Sequence, residues 1–289
     1  MKTSALSRFK SPLLSLVLLL VLIGAWHIAT LPTKSTAASL TPEQIEYAKL
    51  MGKNPEQLAA PVKSAFPTPA DMGATFVDQL RDPFYDNGPN DKGIGIQIAH
   101  SLQRVGLGFL LAAVVAIPLG FVIGMSPLIY RVLDPFIQLL KPISPLAWMP
   151  IALYTIKDAS LSGIFVIFIC SIWPMLINTA FGVAGVRRDW LNVASTLEVS
   201  PVRKAFEVIL PAAAPTILTG MRISMGIAWL VIVAAEMLVG GTGIGYFVWN
   251  EWNNLSLTNV IFAILMIGAV GMVLDLIFAK AQKAVTYAD

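Results

Sequence analysis

The stretch LNVASTLEVSPVRKAFEVILPAAAP, residues 191–215, is polar and helix-like although apolar runs flank it on both sides. Ser200-Pro201 has the residue types of a helix N-cap and first turn, and we expect Pro211 and Pro215 to end that helix. A preceding helix over about 190–199 would complete a helix–turn–helix. The stretch is either a specialised loop between two membrane spans or a solvated helix that merely joins them.

The composition places the chain in the membrane. Of its 289 residues only 13% are charged, whereas soluble domains are about one quarter charged. The mean hydropathy is +0.72, and the apolar runs are long rather than alternating, which predicts helical spans. A net charge of +3 gives no indication of nucleic acid binding. One cysteine and two distant histidines predict neither a metal site nor a bound cofactor.

Six segments approach the apolar length, about 20 residues, that a helix needs to cross a bilayer. The first resembles a signal peptide in its basic start, but its continuation through Trp26 favours an uncleaved anchor. The third is short and contains three prolines. The predicted spans are 12–30, 101–124, 144–157, 160–183, 216–239 and 258–279.

The lysines and arginines set the predicted orientation. Residues 240–259 contain no basic residue, and placing the N-terminus inside puts most basic residues on the cytoplasmic side. Both termini are therefore expected to be cytoplasmic. We divide the chain into a cytoplasmic start with the first span (1–30), an extracytoplasmic helical segment (31–95) and a five-helix core (96–289) with a loop at 186–215.

Small polar residues followed by proline predict short helices in the outer segment. They occur at Thr41-Pro42, Asn54-Pro55 and Thr68-Pro69. The turn-rich DPFYDNGPND, residues 82–91, is expected to end this helical part.

Residues 192–211 resemble the "EAA" loop of ABC-importer membrane subunits, which combines EAA, a glycine four residues later and a distal I-x-L-P. Asn192-Val193-Ala194 stands at EAA, Glu198 at the glycine, and Val208, Leu210 and Pro211 at I-x-L-P. Only Ala194 and the distal half match. Residues 141–154 and 211–238 are similar to the aliphatic-sulfonate, taurine and nitrate branch, and residues 40–73 to cyanobacterial nitrate/nitrite and bicarbonate importers.

The resemblance implies an all-α polytopic protein of the bacterial inner membrane with the type I ABC importer permease fold and six transmembrane helices. It implies a second membrane subunit, for which a homodimer is the simplest arrangement, and an extracytoplasmic substrate-binding protein. It also implies two ATPase subunits, docked at the loop residues Asn192, Ala194, Glu198, Ser200, Pro201, Arg203, Lys204, Phe206, Leu210 and Pro211.

The function implied by the resemblance is ATP-driven inward transport of nitrate and nitrite, with bicarbonate as the alternative anion. This chain contains no G-x-x-x-x-G-K-[ST] motif, so ATP and magnesium are expected on partner subunits and no catalysis on this one. A secondary transporter would need carboxylates deep within the spans, and the motifs of membrane hydrolases are missing from the sequence.

Candidates for the anion path come from residues that are unusual in a span. Helix breaks at membrane depth are tolerated where they line a cavity, which points to residues 142–150 with Trp148, Met149 and Tyr154; simple helix packing around prolines is the alternative. Asn178 could bond an anion or a neighbouring helix.

Two further charges lie near the outer ends of spans. Arg104 is costly there unless it is paired, and Glu236 is its expected partner. The pair is either a gate for anions or a structural ion pair. Asp134 and Asp275, near the cytoplasmic ends, are expected to pair with Arg131 and Lys280 as structural contacts.

Overall fold

The structure, a computed structural model, describes residues 5–31, 46–47, 50 and 66–285, with backbone only for residues 5–12. The chain divides into two compact units. One consists of Met1–Arg81 with Ser256–Phe262, and the other of Asp82–Leu255 with Ala263–Asp289. The predicted helix starts at Thr41-Pro42 and Asn54-Pro55 lie outside the described residues.

The first unit contains helices α1 (Ala5–Ala29) and α2 (Pro69–Arg81). The predicted helix start at Thr68-Pro69 is confirmed. The Thr68 amide donates to Asp71 Oδ2 at 3.0 Å, and the Asp71 amide donates to Thr68 Oγ1 at 3.2 Å. This reciprocal pair satisfies two amides that the first helical turn leaves without partners. The Trp26 indole donates to the carbonyl of Pro67 at 3.0 Å.

The second unit begins with a short antiparallel hairpin of β1 (Asp86–Gly88) and β2 (Asp91–Lys92). Its helices are α3 (Ile94–Met125), α4 (Pro127–Leu140), α5 (Met149–Ile156), α6 (Ala159–Ala184), α7 (Arg188–Thr196), α8 (Pro201–Lys204), α9 (Leu210–Val239) and α10 (Ile244–Asn253). A 3₁₀ turn, Pro145–Trp148, precedes α5, and a π-helical turn, Ala205–Ile209, joins α8 to α9. The last helix, α11 (Leu257–Val285), starts in the first unit and continues in the second.

Helix α6 packs between α3 and α9. On α3, small residues recur every fourth position at Gly108, Ala112, Ala116, Gly120 and Gly124, so they form one stripe along the helix. A Cβ added to Gly120 would lie 2.7 Å from the Leu176 carbonyl oxygen of α6. Small residues allow this backbone approach, and close packing is the main force between helices in a bilayer.

Among the described residues, four helical stretches are long and apolar enough to cross a membrane: Ile94–Met125, Ala159–Ala184, Pro201–Val239 and Leu257–Val285. A fifth span is formed if the bent pair Pro127–Leu140 and Pro145–Ile156, at 85°, counts as one. The segment predicted at 12–30 lies in α1, whose described apolar part is Leu13–Ala29. The fold is therefore the predicted all-α membrane type, and the count of six spans remains a prediction.

Two predicted helix boundaries are wrong. The segment 144–157 is not one straight span, because α5 has 8 residues and covers only about 12 Å of a hydrocarbon core about 30 Å thick. The prolines expected to end the loop helix, Pro211 and Pro215, instead continue it, and Pro201–Val239 is one apolar stretch of 39 residues. The π-helical turn directly before Pro211 changes the hydrogen-bond register, so the missing proline amide is accommodated.

Candidate functional site

The loop at 186–215 consists of two short helices whose junction is a complete C-terminal cap. The Val199 amide donates to the carbonyl of Ala194, and the Glu198 amide donates to that of Ser195. These two bonds define a Schellman motif, whose C′ position is usually glycine in a left-handed conformation. Glu198 occupies C′ with φ 49°. The position where the importer loop has glycine is thus a left-handed helix cap, occupied here by glutamate.

The second half of the loop begins with the predicted cap. The Ser200 side chain accepts from the Arg203 amide, with Pro201 in the first turn. The charged residues of this helix have local partners: Arg203 Nε donates to Glu207 at 2.7 Å, and Lys204 Nζ donates to the Ser195 hydroxyl at 2.8 Å. Both pairs lie on exposed side chains, so each contributes little to stability.

The loop has an exposed apolar surface, and it is buried where it joins the spans. We define the apolar loop surface as Trp190, Val193, Leu197, Val202 and Phe206, whose side chains are all exposed. Phe206 is 67% exposed, whereas Ile209 is 5% exposed and packs with Val183 of α6 and Ala213 of α9. The loop is therefore joined to two spans through packed side chains and through the unbroken helix into α9.

The other loop residues singled out from the sequence divide between these environments. Ala194 is buried, and Leu210 is half-buried against the cluster around Ile209. Asn192 and Pro211 are exposed.

Arg104 and Glu236 form the expected ion pair, with Arg104 Nη1 2.7 Å from Glu236 Oε1. Their side chains are 15% and 4% exposed. Arg104 also donates from Nε to the Ser160 hydroxyl at 3.0 Å and from Nη1 to the Thr242 carbonyl at 2.6 Å. The guanidinium therefore ties α3 to the start of α6, the end of α9 and the glycine-rich turn before α10.

Polar side chains from α3 and α9 complete the N-terminus of α10. The amide of Gly243 donates to Gln97 Oε1 at 2.6 Å, that of Ile244 to the Ser101 hydroxyl at 2.9 Å, and that of Gly245 to Glu236 Oε2 at 3.0 Å. The first amides of a helix lack partners within the helix and carry partial positive charge, so a carboxylate stabilises them. Glu236 thus neutralises Arg104 and caps α10 simultaneously.

The glycines of this turn are required by close contacts. A Cβ added at Gly245 would lie 2.1 Å from the Val233 carbonyl oxygen, and one at Gly243 would lie 2.2 Å from the Glu236 carboxyl carbon. The glycine-rich residues 241–245, a pattern typical of a turn before the last span, lead instead into α10.

The three candidate path residues on the broken segment, Trp148, Met149 and Tyr154, lie in different environments. Met149 is buried and lines a cavity of about 170 Å³ together with Arg104 and Glu236. Tyr154 is exposed. Trp148 Nε1 is buried and has no hydrogen-bond partner among the described residues.

Asn178 and the start of the broken segment meet in a second cavity of about 410 Å³. Its lining includes Asn178 and Trp173 of α6, Ile227 of α9, and Lys141 and Pro145 beside the break. The Asn178 amide donates to the Pro174 carbonyl at 2.8 Å. A cation, an amide and an indole thus line one space between the spans. We call it the Lys141 cavity.

Sequence reasoning treated Lys141 only as a marker of topology and did not place it at a cavity. The pattern that could have revealed it is a lysine directly before Pro142, because a helix interrupted by proline exposes its end to the space that it borders.

The expected pairing of Asp275 with Lys280 is wrong: Asp275 accepts two bonds from Arg222, at 2.6 and 2.7 Å, since α9 brings the arginine within reach. Asp134 accepts from Gln138, not Arg131.

Comparison with known proteins identifies the family of this chain. Residues 116–287 match the model of the binding-protein-dependent transport system inner membrane component. The nitrate import permease protein NrtB of Synechocystis sp. is 46% identical over 78% of this chain and 82% of the relative. The bicarbonate transport system permease protein CmpB of the same organism is 45% identical over 71% and 74%.

The fold is similar to that of a solved ABC transporter. A structure described as an inward-facing conformation of the MetNI methionine ABC transporter has a TM-score of 0.59 at 12% identity, covering 66% of this chain and 95% of that one. This likeness concerns the fold alone. The matched family and the similar relatives establish that the chain belongs to the inner membrane components of binding-protein-dependent transport systems.

Proposed function

We propose that this chain is the membrane-spanning subunit of an ABC importer that moves nitrate, with nitrite as co-substrate, into the cell. The observation that carries the proposal is the 46% identity to a nitrate import permease over most of both chains. Bicarbonate is the second candidate, since a bicarbonate permease is 45% identical to this chain. Both anions are small, planar and singly charged, so a similar path suits them.

The proposed docking site for the ATPase subunits is the apolar loop surface. Five exposed apolar side chains on α7, α8 and the residues that directly follow these helices favour a partner protein over water. Closure of the ATPases on ATP would move the loop, and the packing of Ile209 against α6 and α9 would carry the movement into the spans. ATP and magnesium are held by those subunits, and this chain supplies no catalytic group.

The remaining assembly follows from membership of the family and from the charge pattern. A substrate-binding protein delivers the anion at the outer face, and both termini of this chain lie in the cytoplasm. Two copies of the chain form the membrane dimer, which is the simplest arrangement for a transporter with two membrane subunits. Arg104 and Glu236 act as a closed outer gate, which the four-way network around the Thr242 turn supports.

The test is the assembly of the complete importer and its response to substrate. A tagged chain should co-purify with its two ATPases, and their ATP hydrolysis should rise when nitrate-loaded binding protein is added. Phe206→Ala should weaken ATPase binding by about 1–3 kcal/mol, as loss of an interface anchor does. Tyr154→Ala, an exposed aromatic outside the loop, is the control. Equal binding by the Phe206→Ala and unaltered chains would contradict the docking site.

A further inference from the structure

We infer that Lys141 is the residue that holds the transported anion within the membrane, in the cavity that it shares with Asn178. The inference rests on the proposed function, because it assigns the anion of that importer to a site. It takes as ligand a small, planar, singly charged oxyanion.

The first step concerns the two arginines within the long spans, Arg104 and Arg222, which already have carboxylate partners. Arg104 is paired with Glu236 at 2.7 Å, and Arg222 is held by both oxygens of Asp275. An arginine whose guanidinium N–H groups already bind a carboxylate attracts a further anion weakly. Within the part of the chain that the structure describes, Lys141 has no acidic group within 4.0 Å.

The second step concerns where Lys141 lies. It follows the last residue of α4, at the break where the chain turns by 85°. Besides the Lys141 cavity it lines a neighbouring cavity of about 390 Å³, and Ile177 of α6 also lines both. A flexible ammonium at this junction can serve an anion on either side, which suits a path that must release what it binds.

The third step concerns the side chains that line the Lys141 cavity. Asn178 and the indole of Trp173 supply hydrogen-bond donors for oxyanion oxygens, and the remaining lining is largely apolar, including Ile169, Ile223 and Ile227. The Lys141 side chain is exposed, so its ammonium can reach an anion that enters the cavity, and the apolar walls offer that anion no competing charge. Among the described residues, no acidic residue lines the Lys141 cavity, and Asp134 lines only the adjoining one. Lys141 therefore gives the Lys141 cavity a net positive charge.

The experiment measures the charge of the cavity directly, in the complete importer with its ATPases and binding protein. Cys170 lines the cavity and is the natural thiol, so it is replaced by Cys170→Ala, and Ile227→Cys places a reporter on the opposite wall. Rates of modification are compared for an anionic and a neutral methanethiosulfonate reagent of similar size. Lys141→Gln should lower the anionic-to-neutral rate ratio about tenfold, and Lys141→Arg should preserve it.

Arg131→Gln is the matched control, because it removes a cation from the same helix without altering the Lys141 cavity lining. It should leave the rate ratio unchanged. A ratio equally low in Arg131→Gln and Lys141→Gln, or unchanged in both, would overturn the inference. A thiol that the neutral reagent never reaches would also overturn it, since the cavity would then admit no solute.

Protection by the anion separates this inference from the proposed function. Millimolar nitrate should slow modification with Lys141 present and have no effect in Lys141→Gln. Protection by bicarbonate but not by nitrate would support the site and contradict nitrate as the substrate. Protection by neither anion would overturn the site, whatever the importer is later found to carry.

Discussion

Glu198 holds a left-handed backbone conformation that normally belongs to glycine. Its φ of 49° completes the cap of α7, at a cost of roughly 1–2 kcal/mol for a residue with a Cβ. The exposed side chain makes no contact that requires glutamate in the described structure. The importer glycine at this position is therefore explained by backbone geometry.

Glu198→Gly should stabilise the chain by about 0.5–1 kcal/mol, because relief of the left-handed strain exceeds the added flexibility of the unfolded state. The thermal midpoint of the purified protein in detergent should rise by about 1–3 °C. Thr196→Gly, two residues earlier in the helix, should lower the midpoint instead. A lower midpoint for Glu198→Gly would show that the carboxylate itself stabilises the loop.

Glu236 is the most connected charged residue of the described chain. Glu236→Gln should destabilise the protein by about 3 kcal/mol or more, because it leaves Arg104 buried without a countercharge. The double variant Arg104→Met/Glu236→Gln should be more stable than Glu236→Gln alone, since it removes the uncompensated charge. Thermal unfolding of the three proteins in one detergent measures the difference. If the double variant is the less stable, the ion pair is not the source of the effect.

The pairing of Arg104 with Glu236 could be predicted, but its surroundings could not. Two opposite charges near the outer ends of spans have few other partners, so the sequence alone is sufficient. Gln97 and Ser101 are ordinary helix residues, and their bonds to Gly243 and Ile244 depend on α10 starting at that turn. Such contacts join residues far apart in the chain, and no local pattern indicates them.

At the scale of elements, the stripe of small residues on α3 determines how closely it approaches α6. Gly120→Leu should destabilise the protein by about 2–3 kcal/mol, because a Cβ there lies 2.7 Å from a backbone oxygen that cannot move aside. Gly106→Leu on the same helix, where a Cβ meets no atom within 4 Å, is the control. Unfolding midpoints in detergent compare the two. Equal effects would mean that helix propensity, not packing, is measured.

The long apolar helices were predictable because hydropathy alone identifies them, and the four stretches that meet the length criterion each contain a predicted span. The helices around the break between α4 and α5 could not be predicted in this way. Helix α4 carries charges and a proline, so it does not read as a span, and α10 follows glycines that suggest only a turn. The continuation of the loop helix through Pro211 depends on the π-helical turn before it, which no local sequence pattern indicates.

At the scale of the whole molecule, the charged residues serve two different purposes. The paired arginines, Arg104 and Arg222, hold helices together, whereas Lys141, at the break after α4, lines two cavities. The loop exposes apolar side chains, while its buried residue Ile209 packs between two spans. In the proposed importer, docking, transmission and anion passage therefore use separate parts of the chain.

The most direct test is uptake by liposomes that contain this chain and its ATPases, with ATP inside and binding protein outside. Labelled nitrate should accumulate only when ATP is present, and excess bicarbonate should not reduce its accumulation. ATP-driven uptake of bicarbonate without uptake of nitrate would contradict the assigned anion. Uptake by the chain alone on an ion gradient would contradict the importer itself.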